Sequence, residues 1–174
     1  MEESGGPLGP AELDEFLDAP RLLKLACLRS DGWPYVVPLW YVWLGRRFYV
    51  IGRERAAWVG FVRQNPRVGV LVDEEGQQHR RLQATGLARI VEGPSPLAGR
   101  SERWREVGQR MVDLYMADAR GRAYAQLTAE RPRYLIEIEP SQIATWRGGP
   151  WHRRYFATTE LPPAPTAVPE RRSG

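Results

Sequence analysis

The residues of this chain best suited to chemistry are three consecutive charges, Arg53, Glu54 and Arg55, set between the strand-like FYVIG and the helix-like AAWVGFVRQ. A helix beginning near Arg55 or Ala56 leaves its first backbone N–H groups without internal acceptors, and its dipole favours negative charge at that end. Guanidinium groups just before such a helix add charge-assisted bonds that can grip a phosphate with two prongs. Glu54 opposes this, since it can pair with either arginine and leave only a solvated turn. The pattern points to an anion site with phosphate as the expected anion, and it needs a second feature beside it.

That feature is WPYVVPLWYVWL, residues 33–44. Its β-branched and aromatic content predicts a strand, yet it is apolar at both parities. Val36, Trp40 and Val42 alternate with Tyr35, Val37, Leu39, Tyr41 and Trp43. An antiparallel strand with one wet face alternates with polar residues instead. Both faces here ask for cover, one from a core and the other from a ligand or another subunit. Pro38 withholds a ladder donor, which places it at an edge, a bulge or a gap in the sheet. A phosphate anchor beside a broad aromatic surface is what a phosphorylated, planar cofactor needs.

Other chemistries find little support. Cys27 is the sole cysteine and lies in LLKLACL, where it reads as a buried structural thiol. With His79 and His152 the only histidines, no cluster has metal-ligand spacing. Ser30, Ser95, Ser101 and Ser141 fall in turns or at caps, outside any G-x-S-x-G setting. Neither a P-loop nor G-x-G-x-x-G is present. Asp14/Glu15 and Glu74/Glu75 read as solvated edges. The net charge is +4, and because Lys24 is the only lysine it is carried almost wholly by arginine. Those arginines are scattered, which argues against a nucleic-acid partner. No apolar run is long enough to span a bilayer, and the acidic start MEESGGPLGP is unlike a signal peptide, so the expected location is the cytoplasm.

The elements that must position these residues follow from periodicity. A helix from Pro10 to near Pro20 puts Leu13, Phe16 and Leu17 on one face. Leu22 to Arg29 predicts a strand, Ser30-Asp31-Gly32 a hairpin turn, and Phe48 to Ile51 a third strand after the aromatic one. Residues 55–64 predict a helix with Trp58, Val59 and Val62 on one side, stopped by Asn65-Pro66. Arg67 to Asp73 turns Val68, Val70 and Val72 inward. Residues 80–91 alternate strictly, with Leu82, Ala84, Gly86, Ala88 and Ile90 on one face. Ser101 caps a helix carrying Trp104, Val107, Met111 and Leu114, and Arg133 to Glu139 is a last strand. Six strands joined by links too short for crossover helices make a largely antiparallel, curled barrel. Residues 1–9 and the proline-rich 157–174 are expected to be disordered, leaving one domain over 10–156.

In that order, the strand–DG–strand containing VVP, the strand ending FYVIGR, the helix, NPRVGVLVD and the strand ending TGLARIVEG resemble the pyridoxamine 5′-phosphate oxidase-like flavoproteins. The resemblance runs from Pro20 to Ile90. It continues more loosely through RYLIEIEPSQIATWRGGPWH, whose Trp146-Arg147-Gly148 is similar to a late W-x-G segment of that family. It implies a mainly β fold with short helices, the six-stranded antiparallel FMN-binding split β-barrel. It also implies a homodimer with FMN at the subunit interface. By position, it implies phosphate contacts from Arg53 first and Arg55 second, beside Trp58 on the helix. A ring site of Val37, Pro38, Leu39 and Trp40 follows, with Tyr49, Val50 and Ile51 beneath. Arg81 stands where many members carry a glutamine near the flavin, and Trp146 packs from the partner chain. Trp40 and Trp146 read equally well as core, and Arg81 as a solvated strand residue.

Two departures narrow the expected activity. Ala56-Ala57-Trp58-Val59 replaces the S-R-K-A-like sequence of many true oxidases, and Trp151-His152-Arg153-Arg154 does not complete the substrate-phosphate signature. The expectation is an FMN-binding oxidoreductase other than a pyridoxamine-phosphate oxidase, moving hydride or electrons for a small-molecule substrate. A deazaflavin F420-dependent reductase on the same fold, or a non-catalytic flavin- or haem-binding protein, stays open. In a flavoprotein the cofactor supplies the reaction, so no side chain need announce itself as acid or base.

Overall fold

The computed structural model describes residues 6–75 and 79–148. The expectations for Trp151 to Arg154 and for the tail 157–174 lie outside the described residues. Helix α1 (Pro10–Asp18) leads into strands β1 (Leu23–Leu28), β2 (Pro34–Leu39), β3 (Val42–Leu44) and β4 (Arg47–Arg53). Helix α2 (Ala57–Gln64), strands β5 (Arg67–Asp73) and β6 (Arg81–Ser95), helices α3 (Glu102–Tyr115) and α4 (Ala119–Leu127), and strand β7 (Arg133–Trp146) complete the order. All pairings are antiparallel, in one sheet of seven strands ordered β2-β1-β5-β6-β7-β4-β3. No helix among the described residues is long and apolar enough to cross a membrane.

The connectivity forces that sheet to roll. β2 and β3 occupy its opposite ends, yet only Trp40 and Tyr41 join them. Three extended residue steps reach about 10 Å, whereas a flat sheet of this width would separate its edges by nearly 30 Å at about 4.8 Å per strand. The curl comes in part from β6 and β7, whose ladder slips between Thr85 and Gly86, between Ile90 and Glu92, and between Glu92 and Ser95. Bulges bend the strand that carries them and increase its twist.

The single aromatic strand expected over residues 33–44 is therefore two strands, which raises the count from six to seven. It breaks at Trp40-Tyr41, where the chain leaves one edge for the other. The Tyr41 carbonyl there lies 3.1 Å from the Tyr115 hydroxyl instead of in a ladder. Pro38 falls on the edge strand β2, as its missing N–H requires.

Two cores explain the burial. Inside the barrel, Leu23, Leu25, Phe48, Val50, Val72 and Ile136 meet Phe16 of α1 and Trp58, Val59 and Val62 of α2. Outside it, α3 lays Trp104, Val107 and Met111 over Val42, Tyr49 and Leu135. Each such large side chain contributes about 1.5–3 kcal/mol on burial. Cover for the second face of β3 thus comes from the chain's own helix, and neither a ligand nor a partner is needed there. Within residues 33–44, β2 leaves an apolar face open, at Pro34, Val36 and Pro38.

Two further differences have clear causes. Residues 6–9 are ordered: Gly6 bridges Arg147, and Leu8, only 9% exposed, bonds through its N–H to Thr145 Oγ1 at 2.9 Å. Helix α4 carries no apolar periodicity to reveal it and buries none of its residues. At nine residues it is too short to persist unaided, and Asp118 caps it by accepting from the Gly121 N–H at 2.6 Å.

Candidate functional site

The strands β2, β1, β5, β6 and the second half of β7 turn one face inward and the other out, and their registers align the outward residues in rows. Pro38, Lys24, Leu71, Gln83 and Ala144 form one row, and Val36, Ala26, Gly69, Thr85 and Gln142 the next. Asp73, Arg81 and Trp146 form a third, shorter row. Small groups at Ala26, Gly69, Thr85 and Ala144 leave a trough of about 630 Å³ across the first two rows. Its floor is apolar because Val36, Ala26 and Leu71 lie in it. Lys24, Gln83, Thr85 and Gln142 add polar groups. The volume suits a ligand of nucleotide size, but one side is open.

Charge gathers at the edge of this face. Lys24 pairs with Asp73. Arg81 places its guanidinium 5.7 Å from the ring centroid of Trp146, its register partner. Among the described residues Arg81 forms no ion pair. Arg81 and Trp146, expected separately from the sequence, are brought together in the row that ends at Asp73, the partner of Lys24.

The arginine turn lies elsewhere. β4 ends at Arg53 opposite the first residue of β7, Arg133. The Arg53 guanidinium bonds to the Tyr124 hydroxyl on α4 and lies 5.8 Å from that ring's centroid. Arg53, Glu54, Arg55, Arg131 and Pro132 line a recess of about 330 Å³. Glu54 pairs with neither neighbouring arginine among the described residues. The helix beyond starts at Ala57, and its N-cap Ala56 offers no side-chain acceptor. The first N–H groups of α2 thus receive no acceptor from the cap side chain.

A smaller cleft, about 90 Å³, adjoins Arg53 between α3, α4 and β4 and is lined in part by Trp40 and Ile51. Trp40 stacks on Tyr115 at 5.2 Å with an interplanar angle of 11°. Trp40, Ile51 and Arg53 thus meet, but in a space well below the size of a cofactor pocket. No residue lines both the trough and either arginine-bordered space. Arg53 and Arg55 are not brought to Arg81, Trp146 and Pro38.

Most of the other residues expected near the cofactor are buried or turned to the core. Val50 is 0% exposed inside the barrel, and Trp58 is 5% exposed. The Trp58 ring packs so close to Gly52 that a Cβ added there would lie 2.7 Å from it. Tyr49 is buried under α3 and donates to Glu137 Oε2 at 2.7 Å. β4 is covered on both faces and Trp58 is buried from α2, so these three side chains are buried in this chain. Val37 and Leu39 point inward and pack on the barrel core. Lys24, Gln83, Tyr124 and Arg133 were not singled out by the sequence. The available signals were Lys24 as the one charge inside LLKLACL and Gln83 on the outward parity of its strand.

Arg133 is 5% exposed. Burial holds it below the ordinary guanidinium range; Tyr124 works the other way, while Arg53 and Arg131 reinforce the depression.

Known proteins fit this architecture. The family profile described as pyridoxamine 5′-phosphate oxidase matches residues 10–147. No curated protein matches the chain. Among solved structures, HutZ, the haem storage protein from Vibrio cholerae, is 22% identical with a TM-score of 0.63, covering 80% of this chain and 95% of its own. An FAD-binding protein from Mesorhizobium loti is 24% identical with a TM-score of 0.57, covering 83% and 96%. A protein named F420 reductase is 21% identical with a TM-score of 0.55, covering 75% and 94%. At these identities the structures speak for the fold alone. The profile match and the rolled antiparallel sheet agree: this chain belongs to the pyridoxamine 5′-phosphate oxidase family.

Proposed function

We propose that the chain is a homodimeric, FMN-binding oxidoreductase whose cofactor lies in the trough on the outer face of β2, β1, β5 and β6. The trough itself carries this reading. It offers about 630 Å³ over a largely apolar floor, which has room for a planar ring that the small cleft beside Trp40 lacks. Lys24 and Gln83 can donate hydrogen bonds to polar ring edges. Arg81, without a carboxylate partner among the described residues, is available to a phosphate. When bound, the flavin supplies the hydride or electron chemistry.

The chain's own contribution is to bind, orient and exclude water, and the open side of the trough means that one copy cannot finish this task. Ligand pockets of this class bury most of the ligand's surface. A second copy laid on the same face supplies the missing wall, and the apolar residues exposed there support that arrangement.

Relatives in fold are named for FAD, F420 and haem, so the test must separate these cofactors. The absorption spectrum and mass spectrum of the purified protein, followed by titration with FMN, F420 and haem, do so. The expected result is one FMN per chain, abolished in Thr85→Trp, which fills the trough from an exposed position. Turnover with reduced nicotinamide and an electron acceptor then shows catalysis. A colourless protein that takes up no FMN, or FMN binding untouched by Thr85→Trp, sinks the reading.

A further inference from the structure

We propose that the cleft beneath α4 is a second ligand site, separate from the trough, for a small organic carboxylate with a short apolar group. Its centre is Arg133. The Nη1 group of this buried side chain donates to the carbonyls of Thr128 and Arg131, each at 2.7 Å, and Nη2 donates to Thr128 Oγ1 at 2.7 Å. A guanidinium has five N–H donors. The two left over, on Nε and Nη2, have no acceptor among the described residues, and such a pair is what a carboxylate takes up with two prongs.

The surrounding charge points the same way. The carbonyls Arg133 contacts at the end of α4 offset part of its charge, since a helix C-terminus carries roughly half a negative charge. Arg53, which pairs with Arg133 across the ladder and also lines the cleft, restores the excess, and Arg131 in the adjoining recess adds to it. Neither they nor Arg133 meets a carboxylate among the described residues. A buried positive charge without a counter-ion is costly, and an arginine serving only to cap α4 would need neither spare donors nor a cavity against it.

The cavity selects the rest of the ligand. Ile51, Leu97, Met111 and Met116 give it apolar walls, and its volume is about 90 Å³. That excludes a flavin or nucleotide and admits a body of a few non-hydrogen atoms. Methionines adapt their shape to such a body. The roof is α4, which buries no residue of its own and touches Arg53 through the Tyr124 hydroxyl. A carboxylate outcompetes that neutral partner for the guanidinium, because charge-assisted bonds are roughly twice as strong.

The probe is sodium butyrate, titrated calorimetrically into the protein as purified, with sodium phosphate and sodium chloride as controls at matched ionic strength. One butyrate per chain is expected, weakened about tenfold or more by Arg53→Met. Met111→Trp, which fills the cleft, is expected to abolish it. Thr85→Trp, which removes FMN from the trough, should leave butyrate binding intact, so loss of one site is distinguishable from loss of the other. Arg133→Lys should weaken binding, and the partly exposed Arg53 gives the same test if that buried variant fails to fold. Absence of saturable binding overturns the proposal. So does phosphate binding as tightly as butyrate, or a butyrate affinity that Arg53→Met and Met111→Trp both leave unchanged.

Discussion

Across the β6–β7 ladder, the guanidinium of Arg81 lies 5.7 Å from the ring centroid of Trp146. Trp146 is 44% exposed and Arg81 is exposed too, so this pair is not buried for stability. A guanidinium resting on a ring loses less freedom when it binds an anion than one moving in solvent.

The first prediction concerns that pair. Arg81→Ala should weaken FMN about tenfold, the scale of a charge-assisted hydrogen bond. Trp146→Leu should cost only a few-fold, since an exposed cation–π contact is worth about 0.5–1 kcal/mol. Arg53→Ala, which faces α4, should change FMN affinity by no more than about twofold. Flavin fluorescence titration measures all three, and an Arg81→Ala protein with parental affinity would remove Arg81 from the site.

A second prediction follows from Glu137, which accepts from Tyr49 at 2.7 Å and from Arg89 Nη2 at 2.8 Å. Burial alone would raise its pKa, but the bonds from Arg89 and Tyr49 prevail and hold it below the ordinary carboxylate range. Glu74 is lowered as well, first by its hydrogen bond from Arg80. A carboxylate depressed in the folded state contributes stability that is complete above its unfolded pKa, about 4.3 for Glu. That contribution is lost as pH falls through the folded value. Urea unfolding should therefore show stability falling below about pH 4.5. Glu137→Gln should cost about 1–3 kcal/mol at pH 7 and flatten the fall in acid. An unchanged acid slope would show that Glu137 carries none of it.

Local signals made most of the fold legible. Val68, Val70 and Val72 alternate because β5 has one face in the core. Ser101 caps α3 by accepting from the Trp104 N–H at 3.1 Å. Distant partners fixed the rest. β3 exists because Val42, Trp43 and Leu44 pair with β4, and Gly6 is held by Arg147. The site was harder to read for the same reason. The trough takes about two residues from each of several strands, so no contiguous motif spells it. The direction of Arg53 is set by Tyr124 on α4, a helix without an apolar face to betray it.

The third prediction tests the bulge that curls the sheet. Thr85 pairs with Gln142 and Gly86 with Pro140, leaving Ser141 as the extra residue. A Cβ on Gly86 would stand 2.3 Å from the Glu139 carbonyl oxygen and 3.0 Å from the Pro140 Cα. Both neighbours are backbone and cannot swing aside. Gly86→Ala should destabilise by about 1–3 kcal/mol, read from the urea midpoint, and should loosen FMN because Thr85 and Gln142 border the trough. A parental midpoint would mean that the bulge yields easily.

The fourth prediction addresses the second copy. Val36 is 62% exposed on an edge strand and Leu87 is 55% exposed on the same outer face. Large apolar side chains this exposed on one sheet face point to an interface in soluble proteins, and a cofactor in the trough would cover only part of that face. The parent should sediment as a dimer at micromolar concentration. Val36→Asp combined with Leu87→Asp should give a folded monomer, because both side chains are already in water and their loss leaves no cavity. If the partner supplies the wall that the open trough lacks, FMN must leave in step with dimer dissociation. A monomer that kept FMN at parental affinity would show that one copy completes the site alone.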